Sequence, residues 1–232
     1  MQYSIVIPVY QRIEELKLTL DSILAQSKKP LELIIVDNNT NDKDIQRLKH
    51  LIGFYNKKFL NKISYVKSPI NSGAKARNIG ALRAKAELVA FLDSDVILDQ
   101  NYYEILVKYF DLNQNLIAIQ GLDRSLLEKN YSVTSVRIID KLIYHFEQFF
   151  ETTVLLNRET CYVSPSLTVA HPNLKKDFEL KSEWISTCAG VFKRSLFEKY
   201  KFPDQFVTYS NNEYLMFSYN LIKKHSLHSQ EI

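Results

Sequence analysis

The sequence predicts an α/β protein built on a doubly wound, mostly parallel sheet. Three observations predict it. Short apolar runs recur along the first half of the chain, amphipathic stretches at helical spacing separate them, and polar residues gather directly after the apolar runs. Parallel neighbours need long return connections, and a helix crossing right-handedly over the sheet supplies each one. Of the 232 residues, 46% are hydrophobic and 24% charged, with five glycines and six prolines. That profile excludes a disordered, collagen-like or disulfide-framed chain. No apolar run approaches the ~20 residues of a membrane span.

Residues 4–9 form a nearly continuous apolar run ended by Pro8-Val9, as a strand buried on both faces requires. Ile13, Leu16, Leu20, Ile23 and Leu24 then recur at helical spacing with Glu14, Glu15 and Lys17 between them, which predicts an amphipathic helix. Residues 32–36 are a second buried strand, followed by the loop Asp37-Asn38-Asn39-Thr40-Asn41-Asp42, rich in helix-capping side chains. A helix over 43–55 and a strand over 63–66 follow, then an alanine-rich helix over 73–86. The most apolar strand is 88–92, and a helix over 102–109 and a strand over 116–120 complete the parallel series.

The second half changes character. Val136, Ile139, Ile143, Phe146 and Phe150 mark a long amphipathic helix, expected to serve core or dimer packing. The uncharged segment 161–172 includes a strand, 185–192 reads as another, and 213–224 as a final helix. Met1 to Pro8 lacks the basic lead and cleavage site of a signal peptide and reads as the first strand. Cys161 and Cys188 are expected as free thiols. The net charge of +4 is spread along the chain, which argues against a nucleic-acid partner but allows contact with anionic membrane surfaces.

In a doubly wound sheet, ligands bind outside the carboxyl ends of the strands. The informative residues are therefore Tyr10 to Arg12, Asp37 to Asn39 and Asp93 to Asp95. In an extended Asp93-Ser94-Asp95, the period of two puts both carboxylates on one side, where a hard divalent cation is the natural partner. The same tripeptide also suits a plain strand-to-helix turn. Asn71-Ser72-Gly73 opens a helix whose free amides suit an anion, and Arg77 adds a planar cation for phosphate or carboxylate. Asp37 and Asn38 can read a base or ribose edge, or cap the following helix.

Taken in order, Pro8-Val9-Tyr10, Val36-Asp37-Asn38-Asn39-Thr40, Asn71-x-Gly73-x-x-x-Arg77-Asn78-x-Gly80 and Phe91-Leu92-Asp93-Ser94-Asp95 resemble family 2 of the inverting, nucleotide-sugar-dependent glycosyltransferases, which have the GT-A fold. The resemblance continues through 190–197 and 202–206 to Asn212-Glu213 and the helix after it. It implies a single catalytic domain over 1–232, with 1–120 binding the nucleotide sugar and 121–232 the acceptor.

By that resemblance, Pro8, Val9, Tyr10, Arg12, Asp37 and Asn38 would line the nucleotide pocket, most often for uracil. Asn71, Gly73, Arg77 and Asn78 would shape the diphosphate side. Asp93 and Ser94 would face the ribose or sugar, and Asp95, with Asp93, would hold Mg²⁺ or Mn²⁺. The family's late Glu-Asp pair supplies the base, and here one carboxylate, Glu213, stands in that region with Tyr214 after it. Glu213 matches either the Glu or, shifted by one, the Asp, and a first-turn Glu favoured by the helix dipole is the plain alternative. Asn220 replaces a usual Arg and Val96 a frequent acid. Trp184 lies where relatives place acceptor contacts. His225 and His228 are further metal-ligand candidates.

The resemblance thus implies transfer of a sugar from a nucleoside-diphosphate donor, foremost a UDP-sugar, to a glycan or lipid-linked hydroxyl with inversion. Surface polysaccharide synthesis is the expected setting, in the cytoplasm with contact at the inner membrane face. The alternatives are a sugar-nucleotide-binding module without turnover and a sugar nucleotidyltransferase. The latter lacks its expected glycine-rich loop, since Tyr10 to Glu14 contains no glycine.

Overall fold

The computed structural model describes residues 1–60, 62–121, 162–163, 169–170, 185–204 and 213–228. The chain divides into two units, residues 1–121 with 185–232, and residues 122–184. The first carries a six-stranded sheet. Its elements are β1 (Tyr3–Val9), α1 (Ile13–Ala25), β2 (Glu32–Asp37), α2 (Asp42–Lys58), β3 (Ile63–Lys67), α3 (Gly73–Arg83), β4 (Leu88–Phe91), α4 (Tyr102–Leu112) and β5 (Ala118–Ile119). In the second unit, β6 (Tyr162–Val163) pairs antiparallel with β7 (Val169–Ala170), both within the segment expected to hold a strand. The first unit resumes with β8 (Val191–Lys193), α5 (Leu196–Lys199) and α6 (Glu213–His228).

The strand order is β3-β2-β1-β4-β8-β5. β1 pairs in parallel with β2 and β4, and β2 with β3, as the strand–helix alternation requires. β8 corrects the simple series, because it inserts antiparallel between β4 and β5. Residues 191–193 of the half expected to bind acceptor therefore complete the sheet of the nucleotide half. The strand expected over 185–192 is confined to Val191–Lys193 because the chain bends just before it, where the Cys188 amide donates to the Ser186 hydroxyl at 3.1 Å. Similarly, α3 stops at Arg83 because the amides of Lys85 and Ala86 donate to Glu32 and to the Ser4 hydroxyl. The strand expected over 116–120 is limited to Ala118–Ile119.

Alternation along each strand fills two cores. Ile5, Ile7, Val9, Leu33 and Ile35 face α1, α2 and α4, whose buried stripes include Leu16, Leu20, Leu48, Ile52, Tyr103 and Phe110. Val6, Ile34, Val36, Val89 and Phe91 face α3, α5 and α6. α3 lies tightly on the sheet at Gly80, where a Cβ would come within 2.1 Å of the Val6 side chain. On this face Phe91, Phe192, Phe197, Phe202 and Phe217 form one aromatic cluster, with Phe217 stacked on Phe202 at 4.3 Å between centroids. Phe217 thereby fixes α6, and with it the position of Glu213 one turn earlier. No described helix is long and apolar enough to cross a membrane. The amphipathic stretch 136–150 lies outside the described residues.

Phe217→Ala is expected to cost about 3–5 kcal/mol by emptying the centre of this cluster. Urea unfolding followed by circular dichroism measures it.

Candidate active site at the carboxyl ends of the strands

From β1 the chain proceeds outward to β2 and β3, whereas β4 lies on β1's other side. The crevice between the carboxyl ends of β1 and β4 is the switch point at which such sheets take ligands. Tyr10 to Arg12 leave β1 there, and Asp93 to Asp95 leave β4. The sheet extends its hold past the last β4 residue: the Leu92 amide donates to the Val6 carbonyl at 3.0 Å, and the Asp93 amide to the Cys188 carbonyl at 2.9 Å.

Arg77 gathers the acidic groups. Its Nη2 donates to Asp93 Oδ1 at 2.9 Å, and its Nη1 donates to Glu213 Oε1, so one buried guanidinium joins the end of β4 to the start of α6. Arg77 Nε is buried with no hydrogen-bond partner among the described residues. Glu213 is only 4% exposed and also accepts the Ala74 amide in the first turn of α3. Gly73 makes this approach possible, since a Cβ there would sit 2.8 Å from Glu213 Oε1. Burial pushes the Glu213 carboxyl above its ordinary range; Arg77 opposes the rise, the nearby Asp93 charge adds to it and the Ala74 amide opposes it.

Asp37 is fully buried and engaged within the fold. Its Oδ1 accepts the amide and side-chain nitrogen of Asn39, both at 2.8 Å, and its Oδ2 accepts the Tyr65 hydroxyl at 2.6 Å. Burial, then the bond to Asp37, raises the Tyr65 hydroxyl well above its ordinary value. Lys67 closes the group by donating to the Asp37 and Asn39 carbonyls. Asn39 in turn accepts the Gln11 amide at 2.6 Å, which ties the end of β2 to the turn after β1.

The other expected residues divide between the crevice and its supports. Tyr10 is 41% exposed at the crevice, with Pro8 half-buried and Val9 buried behind it. Asn38 is buried, donates to the Ser72 carbonyl at 3.4 Å and keeps its side-chain oxygen without a partner among the described residues. Asn71 is half-buried. Asn78 spends its whole amide on the Phe202 backbone, two bonds of 2.9 Å, and so anchors the loop that carries Phe202. Ser94 is buried, and its carbonyl accepts the Thr19 hydroxyl at 3.0 Å. Asp95 is exposed and paired with Arg12 across the crevice. Trp184 and the side chains of His225 and His228 lie outside the described residues.

Two neighbours escape a reading of the sequence by strand ends alone. Tyr65 sits inside β3, but its register opposite Ile35 puts it two residues before Lys67, which faces Asp37. Cys188 carries a free thiol beside Asp93, and burial with that negative charge pushes it up to about 11. No local motif marks it, because β8's antiparallel insertion brings it there.

The chain turns at Ser94 and Asp95, where the Val96 amide donates to the Asp93 carbonyl at 3.3 Å, so the extended form expected for Asp93-Ser94-Asp95 is not adopted. Asp93 and Asp95 offer hard oxygen donors, held by Arg77 and Arg12 respectively, and among the described residues no group of three or more His, Cys, Asp or Glu gathers for a metal. Two carboxylates suit Mg²⁺ or Mn²⁺, which take oxygen donors and keep several non-protein ligands. The donor set thus fits the cation expected from the sequence.

Removing the Asp37 carboxylate would strand the Tyr65 hydroxyl and two Asn39 donors. Asp37→Ala is expected to lower stability by about 2–4 kcal/mol, read by urea unfolding.

The sequence model of Glycosyl transferase family 2 matches residues 4–172. An uncharacterized glycosyltransferase of Haemophilus influenzae is 31% identical over 181 residues, covering 75% of this chain and 67% of that protein. The poly(ribitol-phosphate) beta-N-acetylglucosaminyltransferase TarP of Staphylococcus aureus is 33% identical over 158 residues, 61% of this chain and 45% of its own. The chain spans smaller shares of other relatives, such as 21% of an uncharacterized glycosyltransferase of Rickettsia felis, 32% identical over 133 residues and 57% of this chain. Among solved structures, S. aureus TarS 1–349 in complex with UDP superposes with a TM-score of 0.55 at 18% identity, covering 94% of this chain and 54% of that one. A mannosyltransferase from Pyrobaculum calidifontis, in complex with GDP-Man and Mn²⁺, gives 0.56 at 16% identity, covering 88% and 48%. The mixed sheet with its crevice at the switch point is the GT-A architecture, and the chain belongs to glycosyltransferase family 2.

Proposed function

We propose that this chain transfers a sugar from a nucleoside-diphosphate sugar, foremost a UDP-sugar, to a hydroxyl of a glycan or lipid-linked acceptor with inversion, in surface polysaccharide synthesis. The observation that carries this reading is the meeting of Asp93, Arg77 and Glu213 beside the β1–β4 crevice. The relatives support the chemistry: TarS takes UDP in its complex, and GgaB of Bacillus subtilis, 27% identical over 147 residues, is a minor teichoic acid biosynthesis protein.

In this reading, exposed Tyr10 borders the base, and the turn held by Asp37 and Asn39 shapes the nucleotide pocket. Arg77 supplies positive charge toward the leaving diphosphate. Asp93 and Asp95 would hold a divalent cation, which when bound supplies further positive charge to that diphosphate. Glu213 takes the proton of the acceptor hydroxyl as its oxygen attacks the anomeric carbon and the carbon–phosphate oxygen bond breaks. Burial raises the proton affinity of Glu213, the direction a general base needs.

A second reading, donor binding without turnover, is favoured by one observation. The Glu213 carboxylate is already occupied by Arg77 and the Ala74 amide.

Glu213→Gln separates the two, because the amide oxygen still accepts from Arg77. UDP release from UDP-sugars in the presence of acceptor is expected to fall by about 10²–10⁴-fold, with UDP affinity retained. Wild-type turnover is expected to rise with pH along an acidic limb above the ordinary glutamate range, since the base works deprotonated and its proton affinity is raised. Loss of that limb in the variant identifies Glu213. Tight UDP binding without wild-type turnover on any acceptor tried favours the second reading.

A further inference from the structure

The two guanidiniums at the crevice are held in different ways. Arg77 is buried between Asp93 and Glu213, with side-chain exposures of 11%, 32% and 5%. Arg12 and Asp95 meet in the open, at 54% and 37%. An exposed pair of flexible side chains gains little by itself. Here, however, the backbone is committed to it. Gln11 and Arg12 both have positive φ, 58° and 40°, a region that residues with long side chains rarely occupy.

This costly turn is held from outside. Asn39 accepts the Gln11 amide, and Asp37 fixes Asn39 through Oδ1. Arg12 also sits at the N-cap of α1 without making any side-chain capping bond, so its side chain is turned to another use. Strain maintained by surrounding structure next to a binding crevice points to a functional constraint.

We propose that Arg12 is a tethered counter-ion that competes with the divalent cation for Asp95, so that cation binding exchanges guanidinium for metal. The inference rests on the reading of Asp93 and Asp95 as cation ligands. With the crevice empty, Arg12 neutralises the exposed carboxylate. As the cation arrives, Arg12 gives way at low cost because it is half in solvent, whereas the buried Arg77 stays between Asp93 and Glu213. Arg12 thus sets the cation affinity of the free chain.

Titration calorimetry with Mn²⁺ alone, without nucleotide or turnover, tests this on the wild type, Arg12→Asn, Arg12→Lys and Asp95→Asn. Asparagine tolerates the left-handed backbone, so Arg12→Asn removes the charge while keeping the turn. It is expected to bind Mn²⁺ about two- to fivefold more tightly than the wild type, with Arg12→Lys close to the wild type. The gain is expected to vanish when Asp95→Asn is combined with it. Unchanged or weaker Mn²⁺ binding in Arg12→Asn, with binding still lost in Asp95→Asn, overturns the counter-ion proposal and leaves the cation reading intact. Wild-type affinity in Asp95→Asn, or no Mn²⁺ binding in any variant, overturns the cation reading and the proposal with it.

Discussion

Arg77 is the interaction on which the arrangement of the site depends. It projects from α3 and binds a half-buried carboxylate at the end of β4 and a buried one at the start of α6. Burial opposes the charge on Glu213, and an uncompensated buried charge costs several kcal/mol. The guanidinium offsets that cost while its second nitrogen holds Asp93, its planar fork suiting both contacts. The Ala74 amide at the positive end of α3 adds to the balance at Glu213. Even so, among the described residues Asp93, Asp95 and Glu213 form ion pairs with Arg77 and Arg12 alone. A diphosphate would bring further negative charge, which gives physical sense to a cation between it and the two aspartates.

Packing determines whether Arg77 can make these contacts. Gly80 lets α3 lie against Val6, and Gly73 leaves room for the Glu213 carboxylate over the helix's first turn. From the other side, the phenylalanine cluster holds α6 through Phe217, and Asn78 pins the Phe202 backbone to α3. A surface helix is thereby delivered to the sheet's switch point by apolar contacts, and the charges complete what those contacts position.

Much of this was legible in the sequence because the parallel strands are continuous apolar runs and their carboxyl ends carry clustered polar residues. Asp93 to Asp95 and Arg77 could be singled out from local signals and Glu213 from the family resemblance, and the structure joins Asp93, Arg77 and Glu213 directly. What stayed hidden depends on contacts distant in sequence. β8's insertion between β4 and β5 leaves only a three-residue signal, and it brings the Cys188 thiol to Asp93. Asp37 looked like a ligand-reading carboxylate, but its bonds to Tyr65 and Asn39 are visible only once β2 and β3 are in register. The bonds from Asn78 to the Phe202 backbone likewise join residues far apart in sequence. The partnership of Arg12 and Asp95 needs the left-handed turn after β1, which no composition rule anticipates.

The most direct test is UDP titration calorimetry in the presence of Mn²⁺ on the wild type, Arg77→Lys and Arg77→Met, with urea unfolding of each. If Arg77 organises the donor site, both variants lose UDP affinity. Arg77→Met also loses about 3–5 kcal/mol of stability, because its two carboxylates are left without their cation. A folded Arg77→Met protein that binds UDP as tightly as the wild type would contradict the account.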